Sequence, residues 1–229
     1  MDDGMCSACI SAGHVLFFAD GVSKQLKEDV ISASLYIQLA ALDKYLKYDD
    51  FDGWSNKCKK LMTLSGWLSL RETSQHYTCD GQASAQLDKS LLTLLEASVP
   101  ATLLAHLQKF LADLPALSGG QAGLTLLGEY AMDSRPGTDQ ASLSLQISFV
   151  DAESMITTVF LSSKMLKPNN QVDLYAHFAA ERMNGSLDIT VVCMEFVERQ
   201  YRRVRGRILA EVGAVKNNLV IALDGGKDE

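Results

Sequence analysis

No stretch of the chain approaches the ~20 consecutive apolar residues that a bilayer-spanning helix needs. The apolar patch near the start, Val15-Leu16-Phe17-Phe18, is far shorter, and it follows Met1-Asp2-Asp3 rather than the basic n-region of a secretory signal. We therefore expect a cytoplasmic protein, with export only by a signal-independent route and membrane contact only after folding. Basic residues are scarce as well, 21 Lys and Arg against 28 Asp and Glu, for a net charge of −7. Nucleic-acid binding relies on clustered Lys and Arg, so no nucleic-acid partner is expected. The five cysteines, Cys6, Cys9, Cys58, Cys79 and Cys193, are odd in number and irregular in spacing. They form no disulfide framework and read as reduced thiols.

Catalytic signatures are also missing. There is no Gly-x-Ser-x-Gly elbow, no Cys–His pairing signature and no His-Glu-x-x-His. Leu117-Ser118-Gly119-Gly120-Gln121 spells the signature loop of ABC-type ATPases, but that loop works only with a phosphate-binding loop, and no Gly-x-x-x-x-Gly-Lys-Ser/Thr is present. It reads as a flexible turn. Cys6-Ser7-Ala8-Cys9 has the spacing of half a zinc site, with His14 close by, yet a structural zinc needs four ligands and a second pair is lacking. The four histidines, His14, His76, His106 and His177, sit in no paired motif and read as structural. No cofactor and no metal are expected.

What is present is ordinary globular material: 229 residues, 47% hydrophobic and 21% charged, enough for a sizeable core. Ser23 can cap a helix running to Lys47, in which Leu26, Val30, Ala33, Ile37 and Ala40 form one stripe and Leu35, Leu39, Leu42 and Leu46 a second. Tyr48 to Gly53 breaks it. A shorter helix is expected over Trp54 to Trp67, then a polar stretch, extended or loop, over Arg71 to Gly81, and two more helices over Ala83 to Ala97 and Pro100 to Leu114. After Leu114 the pattern changes. Leu143, Leu145, Ile147 and Phe149 alternate with Ser and Gln, the mark of a half-buried strand, and a tight connection at Asp151 to Ser154 leads to a second strand over Met155 to Ser162. Asn184-Gly185 is a strong hairpin signal, expected to join Val172–Ala180 to Leu187–Met194. Leu124 to Tyr130 and Leu219 to Leu223 are read as further strands. Val197, Tyr201, Val204, Ile208, Val212 and Val215 predict one long helix over Phe196 to Val215.

Two stretches carry a resemblance. The first runs from Glu28-Asp29-Val30-Ile31-Ser32 through Gln38-Leu39-Ala40-Ala41 to Lys44-Tyr45, Trp54, Lys57 and Gly66-Trp67; the second is Tyr201 with Val204-Arg205, Ile208 and Gly213. Together they resemble a family of uncharacterised proteins from bacteria and some fungi, although Ile37 stands where the family pattern has Ala. The resemblance implies one integrated unit of helices plus β structure, and no catalytic residue.

The expected fold is α+β: an N-terminal helical bundle over residues 1–114, a junction over 115–123, and a C-terminal antiparallel β-sheet or sandwich over 124–229 with one long C-terminal helix, the parts forming either two units or one integrated domain. The function expected first is that of a non-enzymatic interaction or assembly protein, partnering another protein or itself as a homo-oligomer. A toxin-like or effector protein acting at membranes is the alternative, and a small hydrolase with a site at the α/β junction is a third. The residues singled out as an interaction face are Cys6, Cys9, Leu16, Phe17 and Phe18, together with Arg203 and Arg205 from the basic cluster that begins at Arg199.

Overall fold

The computed structural model describes residues 7–79, 105, 120–133, 140–166 and 183–223. Their backbone hydrogen bonds close one eight-stranded sheet. Strands β1 (Ser7–Ser11) and β2 (His14–Phe18) form a hairpin around Ala12-Gly13. Every residue of β2 is buried, as both faces of the strand are covered. Strands buried on both sides lose the alternation by which strands are recognised.

Helix α1 (Lys24–Leu42) follows, with the Ser23 hydroxyl accepting from the Leu26 amide at 3.2 Å. Helix α2 (Phe51–Leu64) opens on Asp50, whose carboxylate accepts from Gly53 N at 2.8 Å. The two wide stripes of α1 are explained by its position: Val30, Ala33, Leu35, Ile37 and Ala41 are all buried against the sheet or against neighbouring helices. Gly66 then turns the chain at φ +87° into β3 (Trp67–Cys79), and a Cβ at this position would lie 2.8 Å from the Tyr201 amide nitrogen. Gly66→Ala combines left-handed strain with a backbone clash. It is expected to lower the unfolding free energy by about 1–2 kcal/mol, read as a shifted urea midpoint with an unchanged m-value.

The remaining described elements are α3 (Gly120–Ala131), β4 (Met132–Asp133), β5 (Gln140–Val150), β6 (Met155–Leu166), β7 (Met183–Phe196), α4 (Glu198–Tyr201), α5 (Arg205–Val212), α6 (Lys216–Leu219) and β8 (Val220–Leu223). The strand order is β3-β7-β6-β5-β2-β1-β8, with β4 pairing to β5. All pairs are antiparallel except β2 with β5, which is parallel, so the sheet is mixed.

This corrects the expected architecture. Instead of an antiparallel sheet or sandwich behind a helical bundle, one mixed sheet runs through the molecule, and β1, β2 and β3 come from the stretch read as helical. Its two faces hold separate cores. Val15, Phe17, Leu145, Ile147, Leu161 and Ile189 lie on one face with Leu126 and Leu127 of α3. Leu16, Phe18, Phe160, Val192 and Met194 lie on the other with Ile37, Trp54 and Tyr201. The single long C-terminal helix is also overturned. Turns at 202–204 and 213–215 divide it into α4, α5 and α6. Tyr201, Ile208 and Val212 still point inward, so the apolar stripe continues across the breaks and reads as one helix.

Three local readings change too. Leu124–Tyr130 belongs to helix α3 rather than a strand. Asn184 and Gly185 lie inside β7, where Gly185 pairs with Cys79; pairing on both sides of a long strand outweighs a local turn preference. Trp67 begins β3 instead of ending α2. The helices expected over Ala83–Ala97 and Pro100–Leu114 and the strand over Val172–Ala180 lie outside the described residues.

Candidate functional site

Strand β5 alternates Leu143, Leu145, Ile147 and Phe149 with Ser144, Gln146 and Ser148. By ordinary pleat logic the second set should face water. Instead Ser144, Gln146 and Ser148 are at most 1% exposed, because they face α1 and α2. Pairing brings more polar groups to the same level. His14 of β2 stands beside Gln146, Thr158 of β6 beside Ser148, and Ser11 of β1 beside His14. From the helical side, Ser34 and Gln38 of α1 and Lys47 beyond its end complete a buried polar seam.

Part of the seam is satisfied. His14 Nε2 and Ser148 Oγ are 2.8 Å apart, and Ser148 Oγ lies 2.7 Å from Thr158 Oγ1. Gln38 Nε2 donates to the Ser11 carbonyl at 2.9 Å. Lys47 Nζ donates to the Tyr130 carbonyl and, at 3.3 Å, to the Ser144 carbonyl, and it lies 5.2 Å from the ring centroids of Tyr48 and Trp54. Room for that ammonium comes from Gly13, where a Cβ would stand 2.8 Å from Nζ. Other groups have no hydrogen-bond partner among the described residues: Ser11 Oγ, His14 Nδ1, Ser34 Oγ, Ser144 Oγ and both amide atoms of Gln146. A buried polar group left without a partner costs about 1–3 kcal/mol.

Burial controls the charges here. It pushes the His14 imidazole down to about 3, helped by the nearby Lys47, and the Lys47 amine down to about 7. Both groups thus favour their neutral forms. The His14–Ser148 distance matches that of a base and its nucleophile. A base that weak cannot take the serine proton near neutral pH, and with both residues fully buried no substrate reaches them. The pair is a structural hydrogen bond.

On strands β5, β6 and β7 the two faces differ in kind. One carries Leu143, Leu145, Ile147, Val159, Leu161, Leu187, Ile189 and Val191. The register places Ser144, Gln146, Ser148, Thr158, Ser162, Asp188 and Thr190 on the other, interrupted by Phe160 and Val192. These three neighbouring strands are 11, 12 and 14 residues long.

The residues singled out from the sequence are placed as follows. Cys6 lies outside the described residues. Cys9, Leu16 and Phe18 are buried toward α1, while Phe17 is buried in the opposite core, stacked on Phe149 at 4.9 Å. Burial pushes the Cys9 thiol up to about 12, which keeps it protonated and unreactive. Arg203 is exposed. Arg205 is turned inward, its Nε donating to Asp29 at 3.0 Å and its Nη2 to the other carboxylate oxygen, so it ties α5 to α1. The structure brings the N-terminal strands into the core, with only Arg203 of the named residues left at the surface. Among the described residues no group of three or more His, Cys, Asp and Glu side chains could hold a metal ion. No helix among them is long and apolar enough to cross a membrane. The seam was missed because serine and glutamine alternating along a strand look like a solvent face; only the double stripe of α1 hinted that both its neighbours were buried.

No family model matches the chain, and no curated protein matches it. Among solved structures it is similar to a delta-endotoxin, at 10% identity over 80% of each chain with a TM-score of 0.47. It is also similar to the Evf virulence factor, at 12% identity over 92% of this chain and 82% of that one, with a TM-score of 0.39.

Proposed function

We propose that this chain is a non-enzymatic, membrane-acting effector, and that strands β5, β6 and β7 are the part that enters the bilayer. One observation carries the reading: three neighbouring antiparallel strands, each with an apolar face and an opposite face made mostly of Ser, Thr, Gln and Asp. A membrane-spanning strand needs about 9–11 residues and the same period-two pattern, apolar toward lipid and polar toward a lumen. In the folded chain the apolar face is buried and the polar face lies under α1 and α2. Insertion therefore requires the helical layer to leave the seam, where several polar groups draw no hydrogen bond from the protein. Strands in lipid must have no open edge, so three strands per copy close a barrel only when several copies assemble. Self-association is thus part of the same proposal.

The test places a fluorophore on opposite faces of β6, at Thr157→Cys or Ser162→Cys, and adds anionic vesicles loaded with dye. Both positions are half-buried, which tolerates the label. The expected result is dye release accompanied by a lipid-like emission at 157 and continued quenching by aqueous iodide at 162. Release without that alternation would assign membrane entry to another part of the chain, and intact vesicles would end the reading.

A further inference from the structure

At the open end of the polar seam, the loop that carries Tyr48, Asp50 and Phe51 overhangs the ends of β5, β6 and β7. Between them is a cleft of about 260 Å³. Its floor is built of serine: Ser142 and Ser144 from β5, Ser162 from β6 and Ser186 from β7. Ser144 is 1% exposed, and its hydroxyl, like that of Tyr48, has no hydrogen-bond partner among the described residues. Asp188 lies in the wall, and Lys47 stands at the inner end with its ammonium already held by two backbone carbonyls.

This lining discriminates between ligand classes. Carboxylates from the loop and from Asp188 repel an anion. An apolar ligand would leave the buried hydroxyls of Ser144 and Tyr48 facing hydrocarbon, at a cost of about 1–3 kcal/mol each. The described carboxylates form no cluster able to hold a metal ion. A neutral polyol suits what remains. Each of its hydroxyls donates one hydrogen bond and accepts others, and serine hydroxyls do both while carboxylates accept. Phe51 offers a ring for the C–H face of a sugar. The volume falls just below the ~300 Å³ at which drug-sized pockets begin, which suits a single ring.

We propose that this cleft binds one neutral pyranose, free or at the end of a glycan. The assignment rests on the cleft alone and is independent of how the chain acts on membranes. It is tested with the full chain by two-dimensional NMR, titrating the methyl glycosides of glucose, galactose, mannose and N-acetylglucosamine. At least one should shift the amides of Tyr48, Phe51 and Ser144 saturably. Ser144→Val should weaken that binding about tenfold without loss of fold, because the hydroxyl it removes has no protein partner to lose. Ser162→Ala, nearer the surface, provides a second reading. Vesicles with and without a neutral glycosphingolipid separate the sources. Retention on glycolipid vesicles that Ser144→Val abolishes indicates a membrane glycan, whereas binding of glycosides without such retention indicates free sugar. If no glycoside shifts these amides and glycolipid changes nothing, or if binding survives both variants undiminished, the assignment is wrong.

Discussion

Gln146→Met is expected to stabilise the fold by about 2 kcal/mol and to slow dye release from vesicles at least about tenfold. Both amide atoms of Gln146 are buried without a hydrogen-bond partner among the described residues. Methionine is of similar length and flexible enough to fill the same space. Removing a buried polar group that has no protein partner gains roughly its desolvation cost. The gain belongs to the closed state, in which α1 covers β5, because on an opened sheet the Gln146 side chain would meet water. If release requires that opening, 1.4 kcal/mol is a factor of ten in the open population. Urea unfolding and stopped-flow dye release measure the two halves separately. A variant that is more stable yet releases dye at the wild-type rate would show that the seam does not gate the membrane step.

Acidification from about pH 6.5 to about pH 5 should cost the fold about 2 kcal/mol through His14 alone. The sign follows from the direction of the shift. Burial lowers the folded pKa of His14 to about 3 from an ordinary value of 6.5, so below 6.5 the unfolded chain takes up a proton that the folded chain refuses. Stability then falls by up to about 1.4 kcal/mol per pH unit until the folded pKa is reached. Lys47 works in the same sense in another window. Its amine titrates near 7 when folded, so its burial weighs fully on the fold below that pH and is relieved as pH rises toward 10.5. His14→Gln keeps a donor near the position of Nε2, facing Ser148, and cannot titrate. It should flatten the decline between about pH 6.5 and pH 5, and equally the acid enhancement of dye release. Denaturant midpoints across that range are the direct measurement. A wild-type profile as flat as the variant's would mean that the imidazole is not the acid-sensitive group.

Which parts of this molecule were legible depended on where each residue's neighbours come from. The hairpin of β5 and β6 was readable because Leu143, Leu145, Ile147 and Phe149 keep period two, and because Asp151 accepts from the amides of Glu153 and Met155 to close the turn. Helix α1 was readable from its two stripes, and its capping serine does cap. The β1–β2 hairpin was not, since a strand buried on both faces presents no period. Helix α3 was mistaken for a strand because Leu124, Leu126 and Leu127 are too closely spaced to show a helical repeat. Its burial at Gly120, Gly123, Leu127 and Ala131 becomes meaningful only with Ile10 and Leu223 against Gly123. The seam is the extreme case. Each of its residues is unremarkable in its own segment, and only pairing across β1, β2, β5 and β6 makes them one feature. Arg205 was singled out as a surface residue because Asp29, its partner, lies 176 positions earlier.

The pairing of β1 with β8 has a consequence for how the chain is made. Ala8 meets Leu223 and Ser11 meets Val220, so a strand synthesised almost first finds one of its two neighbours almost last. Its hairpin partner β2 likewise waits for β5. Contacts of such long sequence separation slow folding, because the loops must close before the pairing rewards them. On a ribosome adding about 5–20 residues each second, the β1–β2 hairpin spends many seconds with both outer edges unpaired. Unpaired edges of apolar strands are what nascent chains most need shielded. Folding of this protein should therefore be largely post-translational, and its yield should depend more on chaperone supply than its final stability suggests.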